Sequence, residues 1–306
     1  KKGFFMYKVR VAYTHSGPFH SDDVFASAFL MRMFPGVKIR RVSELPINMP
    51  KYSIAYDIGG GMFDHHQKGG NGERKNGIPY SSFGLLWKKF GIPFLRSKLD
   101  ENKIDVTSVW FEIDKQLVSG IDAIDNGYFE KKNAEVMTIC STISLFRPNW
   151  DEENKTYDEQ FEKAVEFAGT IFDNSVSKAI SEAKAISIME EKISKTNDGV
   201  LVMDHYVAWQ KCLARSQNEN AKKIYFVVYP SLRGGYNIAS VYRTDGMKES
   251  KILFPQNWWG ENNEKLEKKS GIRGAKFVHQ KGFIAGAINK EAAIKMAKKA
   301  IERNNK

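Results

Sequence analysis

Apolar residues in the first part of the chain recur with two different periods. Residues 7–13, 37–42 and 52–58 are short runs of β-forming residues, and each predicts a strand. Between the first two runs, apolar residues of 24–34 recur at helical spacing and stop at a Pro-Gly pair. The order strand, helix, strand, strand is typical of an α/β domain with a largely parallel sheet.

The rest of the chain predicts two further parts. Apolar positions predict helices over 80–90, 109–124, 157–194 and 290–301, and strands over 200–204, 224–230, 236–243 and 276–279. The helix over 157–194 is long enough to connect two domains. We therefore predict an α/β domain over 1–150, a helical connector over 151–197, and a smaller α/β domain over 198–306.

Composition narrows the class of protein. Of 306 residues, 42% are hydrophobic and 27% charged, as in ordinary globular proteins, and no apolar run is long enough to span a bilayer. The net charge of +11 favours a phosphate-bearing partner but does not distinguish RNA from a nucleotide. Cys140 and Cys212 are expected to be buried free thiols, and Trp150 and Trp209 to lie in the core.

Residues that can bind metals are concentrated where strands are predicted to end. Four of the six histidines lie in the first quarter of the chain, each close to a carboxylate. The predicted ligands are His15, His20, Asp22, Asp57, Asp64, His65, Asp122 and Asp125. A nitrogen and oxygen set of this size, without sulfur, suits two divalent ions better than a closed structural zinc site. Parallel sheets collect ligands at the carboxyl ends of their strands, which is where these residues fall.

Each residue alone has a simpler explanation. A single histidine is more often a core or surface residue than a ligand, and Asp22 could cap the helix that begins near Val24. Asp125 with the Asn-Gly pair after it could be only a turn. The metal interpretation is favoured because all of these explanations would have to hold together.

The chain resembles a known family along almost its whole length. The order His-x4-His-x-Asp, Asp, Asp-His-His, Asp is similar to the DHH phosphoesterase superfamily, and more closely to the melanocyte-proliferating-gene (MYG) exonuclease family. The matching motifs are 14–17 (THSG), 19–22 (FHSD), 63–67 (FDHHQ), 80–82 (YSS), 84–87 (GLLW), 121–127 (IDAIDNG), 258–260 (WWG), 270–272 (SGI), 277–279 (FVH) and 282–286 (GFIAG). Asp23 departs from the family, which is expected to have Glu there.

The resemblance implies a DHH-like catalytic domain over 1–150 and a substrate-binding domain over 198–306. It implies a metal-dependent phosphodiesterase, specifically a 3′-5′ exoribonuclease in which two ions activate a water. Mn²⁺ is the favoured ion and Mg²⁺ is allowed, with Asp57 as the bridging carboxylate. Asp64, His65 and His66 are expected to be catalytic. The expected substrate-binding residues are His279, Arg273, Lys276, Arg243, Gly282 and Gly286, with 282–286 forming a loop whose backbone approaches phosphate.

Two other functions remain open at this stage. One is a small-molecule phosphohydrolase acting on pyrophosphate, a cyclic dinucleotide or a very short oligonucleotide, and the other is a metal-bound regulatory protein without turnover. The expected partner is RNA or a short oligonucleotide and not a membrane, and a homodimer is allowed. Cytosol, nucleus and mitochondrion are all compatible with the sequence.

Overall fold

The chain divides into two compact units, Lys1–Ala183 and Lys184–Lys306, and the boundary falls within one long helix. The computed structural model describes residues 8–101, 104–128, 136–243 and 249–304. None of the described helices combines the length and the apolar character that are needed to cross a bilayer.

Unit 1 is an α/β domain with a small parallel sheet. Its elements are β1 (Val11–His15), α1 (Ser21–Met33), β2 (Lys38–Val42), β3 (Ser53–Ala55), α2 (Ser82–Arg96), α3 (Val106–Ile113), a π-helical turn (Asp114–Val118), α4 (Ser119–Asp125), α5 (Ile139–Ser144) and most of α6 (Tyr157–Lys195). The strand order is β2-β1-β3, and β1 runs parallel to both neighbours. The predicted parallel sheet is confirmed, although the first strand begins at Val11 and the predicted Tyr7 lies outside the described residues.

Helices α1, α2 and α6 meet in an aromatic core. Phe29 of α1 lies 5.4 Å from Trp87 and 5.5 Å from Phe94 of α2, and 5.6 Å from Phe172 of α6, measured between ring centroids. Aromatic pairs at this separation add to the free energy gained from burial alone. This core fixes the first turns of α1 and α2, from which several candidate ligands project.

Two predicted helices in unit 1 differ from the structure. The helix predicted over 80–90 is α2, which continues through Pro93 to Arg96 because Phe94 and Leu95 bury their side chains in the core. The helix predicted over 109–124 is interrupted by the π-helical turn, which buries Asp114. Tertiary contacts decided both outcomes, and helical periodicity alone does not report them.

Unit 2 is built on a five-stranded mixed sheet. Its elements are the end of α6, β4 (Val200–Val202), α7 (Trp209–Arg215), α8 (Glu219–Lys223), β5 (Phe226–Pro230), β6 (Tyr236–Ser240), a 3₁₀ turn (Gln256–Trp258), α9 (Asn263–Ser270), β7 (Ala275–Val278), β8 (Ile284–Ala287) and α10 (Lys290–Asn304). The strand order is β4-β5-β6-β8-β7, with only β4 and β5 parallel to each other. One sheet face packs on α10, and the other packs partly on the end of α6 and on α7.

Three expectations about unit 2 and the core are corrected. Most of the loop predicted over 282–286 belongs to β8, which pairs with β6 and β7. The sequence did not predict this strand because its glycine and alanines are weak strand formers. Trp209 is buried as expected, whereas Trp150 is 97% exposed. Neither cysteine forms a disulfide with a described residue; Cys212 is buried and Cys140 only partly so.

Candidate metal centre

The parallel sheet of unit 1 brings three chain segments to one edge. His15 is the last residue of β1, and Asp57 is the second residue after β3. Asp22 and Asp23 lie in the first turn of α1, which begins six residues after β1 ends. Because parallel strands end at the same edge, this topology alone places the segments side by side.

Asp57 lies at the centre of the cluster. His15 Nε2 is 3.3 Å from its Oδ2, and the Nδ1 atoms of His65 and His66 are each 3.4 Å from its Oδ1. The Ser82 hydroxyl, at the start of α2, donates a hydrogen bond of 2.9 Å to Oδ1. Asp57 is therefore the side chain that connects the other candidate ligands.

Three groups of side chains have the geometry to hold a cation. Within each group, one ligand atom per residue lies within 4.8 Å of the others. The groups are His15, Asp23 and Asp57; Asp57, Asp64, His65 and His66; and His20, Asp22 and Asp125. Two of the groups share Asp57, and the third is connected to them because His65 Nε2 lies 2.9 Å from Asp125 Oδ2.

One oxygen of each of three buried carboxylates lacks a hydrogen-bond donor among the described residues. Asp22 Oδ1, Asp23 Oδ2 and Asp57 Oδ2 are buried and accept no hydrogen bond from the described residues. Burial and the nearby Asp57 charge raise the pKa of Asp22 well above its usual range, and that of Asp23 to about 7. A buried carboxylate oxygen without a hydrogen bond is costly, and a bound cation would offset that cost, so this donor set fits divalent cations.

The histidines respond to the same charges. Contact with Asp57, opposed by burial and helped by Asp23, raises the pKa of His15 to about 9. Burial lowers the pKa of His65, but Asp125 and Asp57 outweigh it and the net shift is upward. His20 differs, because burial and the Arg147 charge hold its pKa below the usual value.

Asp64 shapes the Asp-His-His segment. Its Oδ2 accepts a hydrogen bond from Gly60 N (2.7 Å), and its Oδ1 accepts one from His66 N (3.1 Å). The same Oδ1 lies 2.9 Å from His66 Nδ1. Burial raises the pKa of Asp64, but these hydrogen bonds lower it more, so the carboxylate is favoured. The His66 side chain remains 57% exposed.

Asp122, a predicted ligand, lies outside the three groups. Its carboxylate meets Arg74 Nη2 (2.7 Å) and accepts hydrogen bonds from Ser81 Oγ (2.5 Å) and Gly84 N (3.0 Å). Arg74 also forms a two-point ion pair with Asp114 of the π-helical turn. Burial raises the pKa of Asp122 to about 6 despite the Arg74 charge. Asp122 thus belongs to a buried network beside the centre, and Asp125 is the ligand candidate of that segment.

Three residues at the centre were not among the predicted site residues. Asp23 faces His15, while its neighbour Asp22 belongs to the group with Asp125. Two consecutive aspartates at the start of a helix do not indicate that their side chains belong to different ligand groups. Ser82 donates a hydrogen bond to Asp57. In the sequence, only the family similarity of the motif at 80–82 pointed to a role for this serine. Arg147 reaches the site from a loop far along the sequence, with Nε donating to Phe19 O at 2.6 Å.

A cavity of about 600 Å³ forms the mouth of the centre. His20, His65, His66, Asp125 and Arg147 are among its lining residues, together with part of α5. Arg147 forms no ion pair with a described carboxylate, so its guanidinium is available to an anion in the cavity. An arginine beside a cation-binding cluster is suited to bind a phosphate group.

Of the predicted substrate-binding residues of unit 2, Lys276 and Gly286 line one groove and the other four are not among its lining residues. His279, Arg273 and Arg243 are exposed; the His279 ring packs on Phe283, 4.6 Å between ring centroids, and Arg243 lies 3.9 Å from Glu249. The groove of Lys276 and Gly286 lies on the sheet.

Close side-chain contacts explain why residues 282 and 286 are glycines. A Cβ on Gly282 would lie 2.2 Å from Trp259, and one on Gly286 would lie 2.4 Å from the Phe277 ring. These glycines are needed for side-chain packing, because an aromatic ring occupies the place that a Cβ would take.

Comparison with known proteins agrees with the motif order. The family model for MYG1 exonuclease, described as an uncharacterised protein family (UPF0160), matches residues 11–301. The chain belongs to the MYG1 exonuclease family. A MYG1 protein of Schizosaccharomyces pombe is 31% identical over 96% of this chain and 98% of its own length.

Relatives from other eukaryotes cover nearly as much of the chain. A MYG1 protein of Saccharomyces cerevisiae is 29% identical over 94% of both chains. A human protein named MYG1 exonuclease is 25% identical over 95% of this chain and 86% of its own length. No solved structure matches the chain significantly. The family resemblance stated from the motifs is therefore confirmed at the level of the sequence.

Proposed function

We propose that this member of the MYG1 family is a metal-dependent phosphodiesterase whose catalytic domain is unit 1. The observation that carries the proposal is the set of three ligand groups connected through Asp57, with buried carboxylate oxygens that accept no hydrogen bond. Hydrolysis of phosphodiesters commonly uses such a site. The names of mammalian relatives, which include exonuclease, point to the same reaction class.

We propose that two divalent ions bind there, with Mn²⁺ favoured and Mg²⁺ allowed. His15, Asp23 and Asp57 would hold one ion, and Asp57 would share the second with ligands from the other two groups. Mixed imidazole and carboxylate donors suit these ions. Bound divalent ions would lower the pKa of a water molecule and offset negative charge on a phosphate. The order of the ligand segments and the parallel sheet support a DHH-like fold for this unit.

The chain's own residues would perform the remaining steps. Arg147 would bind a non-bridging phosphate oxygen at the mouth of the cavity. Asp64 Oδ1 would hold a proton on His66 Nδ1, which leaves Nε2 of this exposed ring to exchange a proton with the leaving oxygen. Ser82 would orient Asp57, and Asp125 would orient His65.

We propose single-stranded RNA as the substrate, degraded from its 3′ end. The net charge of +11 supports a polyanionic substrate, and the whole-chain similarity to proteins named exonuclease supports processive or stepwise trimming. Unit 2 would bind the substrate, so that 1–150 is the catalytic domain, 151–197 the connector and 198–306 the substrate domain.

The deciding experiment follows RNA labelled at either end. Purified protein is incubated with 3′-labelled or 5′-labelled single-stranded RNA in Mn²⁺ or Mg²⁺, beside pyrophosphate and a dinucleotide. We expect the 3′ label to be released first as a mononucleotide, and the 5′-labelled strand to shorten stepwise. Intact RNA together with fast hydrolysis of pyrophosphate or the dinucleotide would instead identify a small-molecule phosphohydrolase. A matched reaction in chelator controls for contaminating metal-independent nucleases.

A further inference from the structure

A groove of about 590 Å³ crosses the sheet of unit 2 on the face opposite α10. The end of α6 and α7 cover this face over β4 and β5. Towards β7 the groove is lined by side chains of β5, β6, β7 and β8 and of the β5–β6 hairpin. All of its lining residues belong to unit 2, and it shares none of them with the cavity of the metal centre.

A single cross-strand row forms the floor and ends of the groove. Tyr229 pairs with Asn237, Asn237 pairs with Gly286, and Gly286 pairs with Phe277. These partners share one face because side chains directly opposite each other on neighbouring strands point the same way. The row therefore places an aromatic residue at each end and an amide between them.

Gly286 allows the Phe277 ring to lie across β8. A Cβ at position 286 would be only 2.4 Å from that ring, so any other residue would displace it. Tyr229 and Gly286 are two strands apart, roughly 10 Å, which leaves room for one planar ring system between Tyr229 and Phe277. Tyr206, which is 56% exposed, packs edge-to-face on Tyr229 and extends that wall.

Polar groups in the groove match a nucleotide. Asn237 lies opposite Tyr229 on one neighbouring strand and Gly286 on the other, and its amide offers a donor and an acceptor to a base edge. Lys276 and Arg233 lie among the lining residues, and neither forms an ion pair with a described residue. Two unpaired cations beside an aromatic groove favour a ligand that joins a flat ring to a phosphate.

We infer that this groove binds a nucleobase of single-stranded RNA, stacked on Phe277 and read at its edge by Asn237, with Lys276 and Arg233 on the adjacent phosphates. This inference rests on the proposed function, because it assigns the oligonucleotide a contact in unit 2 in addition to the metal centre of unit 1. It also gives Lys276, Gly286 and the exposed aromatic residues of unit 2 a common role.

The test measures binding without turnover. Fluorescence anisotropy of a short labelled oligoadenylate is followed with the full chain in chelator, for the wild type, Phe277→Ala and Asn237→Ala. Phe111→Ala is the matched control, since Phe111 is an exposed phenylalanine of unit 1. Loss of a stacked base should weaken binding about tenfold for Phe277→Ala, and the control should bind like the wild type. Thermal unfolding checks that each variant is folded.

A second probe separates base recognition from charge. An abasic oligonucleotide of the same length should bind the wild type about as weakly as the normal oligonucleotide binds Phe277→Ala. Equal affinity of the wild type for both probes, or unchanged affinity of both groove variants, would overturn the inference. The absence of RNA binding to the wild type would also contradict the inference.

The outcomes also separate the two proposals. RNA trimming with groove variants that bind normally would contradict only the groove assignment. Base-dependent binding that is lost in Phe277→Ala, without hydrolysis of any phosphodiester by the wild type, would contradict only the proposed function.

Discussion

Asp57 has a backbone and a side-chain environment that both cost free energy. Its φ is +58°, in the left-handed region that few residues other than glycine adopt, and its side chain is buried among other carboxylates. Such costs persist at functional sites because the surrounding fold enforces them. At Asp57 the left-handed turn directs a carboxylate between His15 and His65, where one side chain can serve two ligand groups.

Removing the Asp57 charge should disable metal binding more than any other single change. For Asp57→Asn we expect Mn²⁺ affinity and RNA hydrolysis to fall by more than about 100-fold, because the two proposed ions would lose a shared ligand. Calorimetric Mn²⁺ titration and the labelled-RNA assay measure this. Asp158→Asn, on the exposed start of α6, is the control and should retain both properties. Full Mn²⁺ affinity in the Asp57 variant would refute the central role of this carboxylate.

The effect of Asp22 on stability should depend on whether a metal ion is bound. Without metal, Asp22→Asn should raise the free energy of unfolding by about 1 kcal/mol, because it removes a buried charge that faces Asp57 and Asp125. With saturating Mn²⁺ the wild type should become the more stable protein. Thermal unfolding in chelator and in Mn²⁺ tests this reversal, and a variant that is less stable in both conditions would mean that Asp22 has a purely structural role.

Asp122 and Asp125 should separate structure from metal binding. Asp122→Asn leaves Arg74 with only Asp114 as an ionic partner, so we expect a loss of roughly 1–3 kcal/mol of stability with nearly normal Mn²⁺ affinity. Asp125→Asn should do the reverse, with weakened Mn²⁺ binding and little loss of stability. Denaturant unfolding and Mn²⁺ titration of both variants decide between them. An exchange of the two results would restore Asp122 as the ligand.

At the scale of elements, the first turn of α2 is positioned by contacts from two other parts of unit 1. Ser82 N lies 3.3 Å from Asp22 of α1 and Gly84 N donates to Asp122 of α4, so two carboxylates accept from the helix start. Backbone N–H groups at a helix N-terminus lack partners within the helix and favour negative charge. This turn therefore links the metal centre to the Arg74 network.

Gly84 is needed for this contact, and a glycine pair tests it. A Cβ at Gly84 would lie 1.8 Å from Asp122 Oδ2, whereas a Cβ at Gly120 in α4 would meet nothing within 4 Å. Gly84→Ala should therefore destabilise the protein by about 2 kcal/mol, despite the higher helix propensity of alanine. Gly120→Ala should stabilise it by up to about 1 kcal/mol. Equal effects in denaturant unfolding would show that α2 and α4 can separate freely.

At the scale of the whole molecule, the described ligand groups all lie in one of two units with separate cores. The aromatic core belongs to unit 1, and the two clusters on either side of the second sheet belong to unit 2. A ligand that binds only the folded form of a unit stabilises that unit by mass action. Metal should consequently act on unit 1.

Scanning calorimetry can detect this selectivity. We expect two unfolding transitions, one for each unit. Mn²⁺ at about 100 times its Kd should raise the free energy of unfolding of unit 1 by roughly 2.7 kcal/mol and leave that of unit 2 unchanged. Ca²⁺, which prefers more oxygen ligands, should shift the first transition less. Equal displacement of both transitions by Mn²⁺ would contradict the assignment of its site to unit 1 alone.

The sequence by itself determined the parts of this protein that depend on local patterns. Periodicity located most of the described strands and the long helix α6, and strand ends predicted where His15 and Asp57 would meet. The motif order was enough to identify the family, which the match over residues 11–301 confirms. These features are local because each depends on neighbouring residues or on the common edge of a parallel sheet.

Only the tertiary structure decided which of those side chains contact one another. Asp23 turned towards His15, Asp122 paired with an arginine 48 positions earlier, and Arg147 reached the mouth of the centre from beyond α5. The Phe277 ring lies where a Cβ of residue 286 would be. Contacts over such separations depend on how elements pack, and no short-range pattern records that packing.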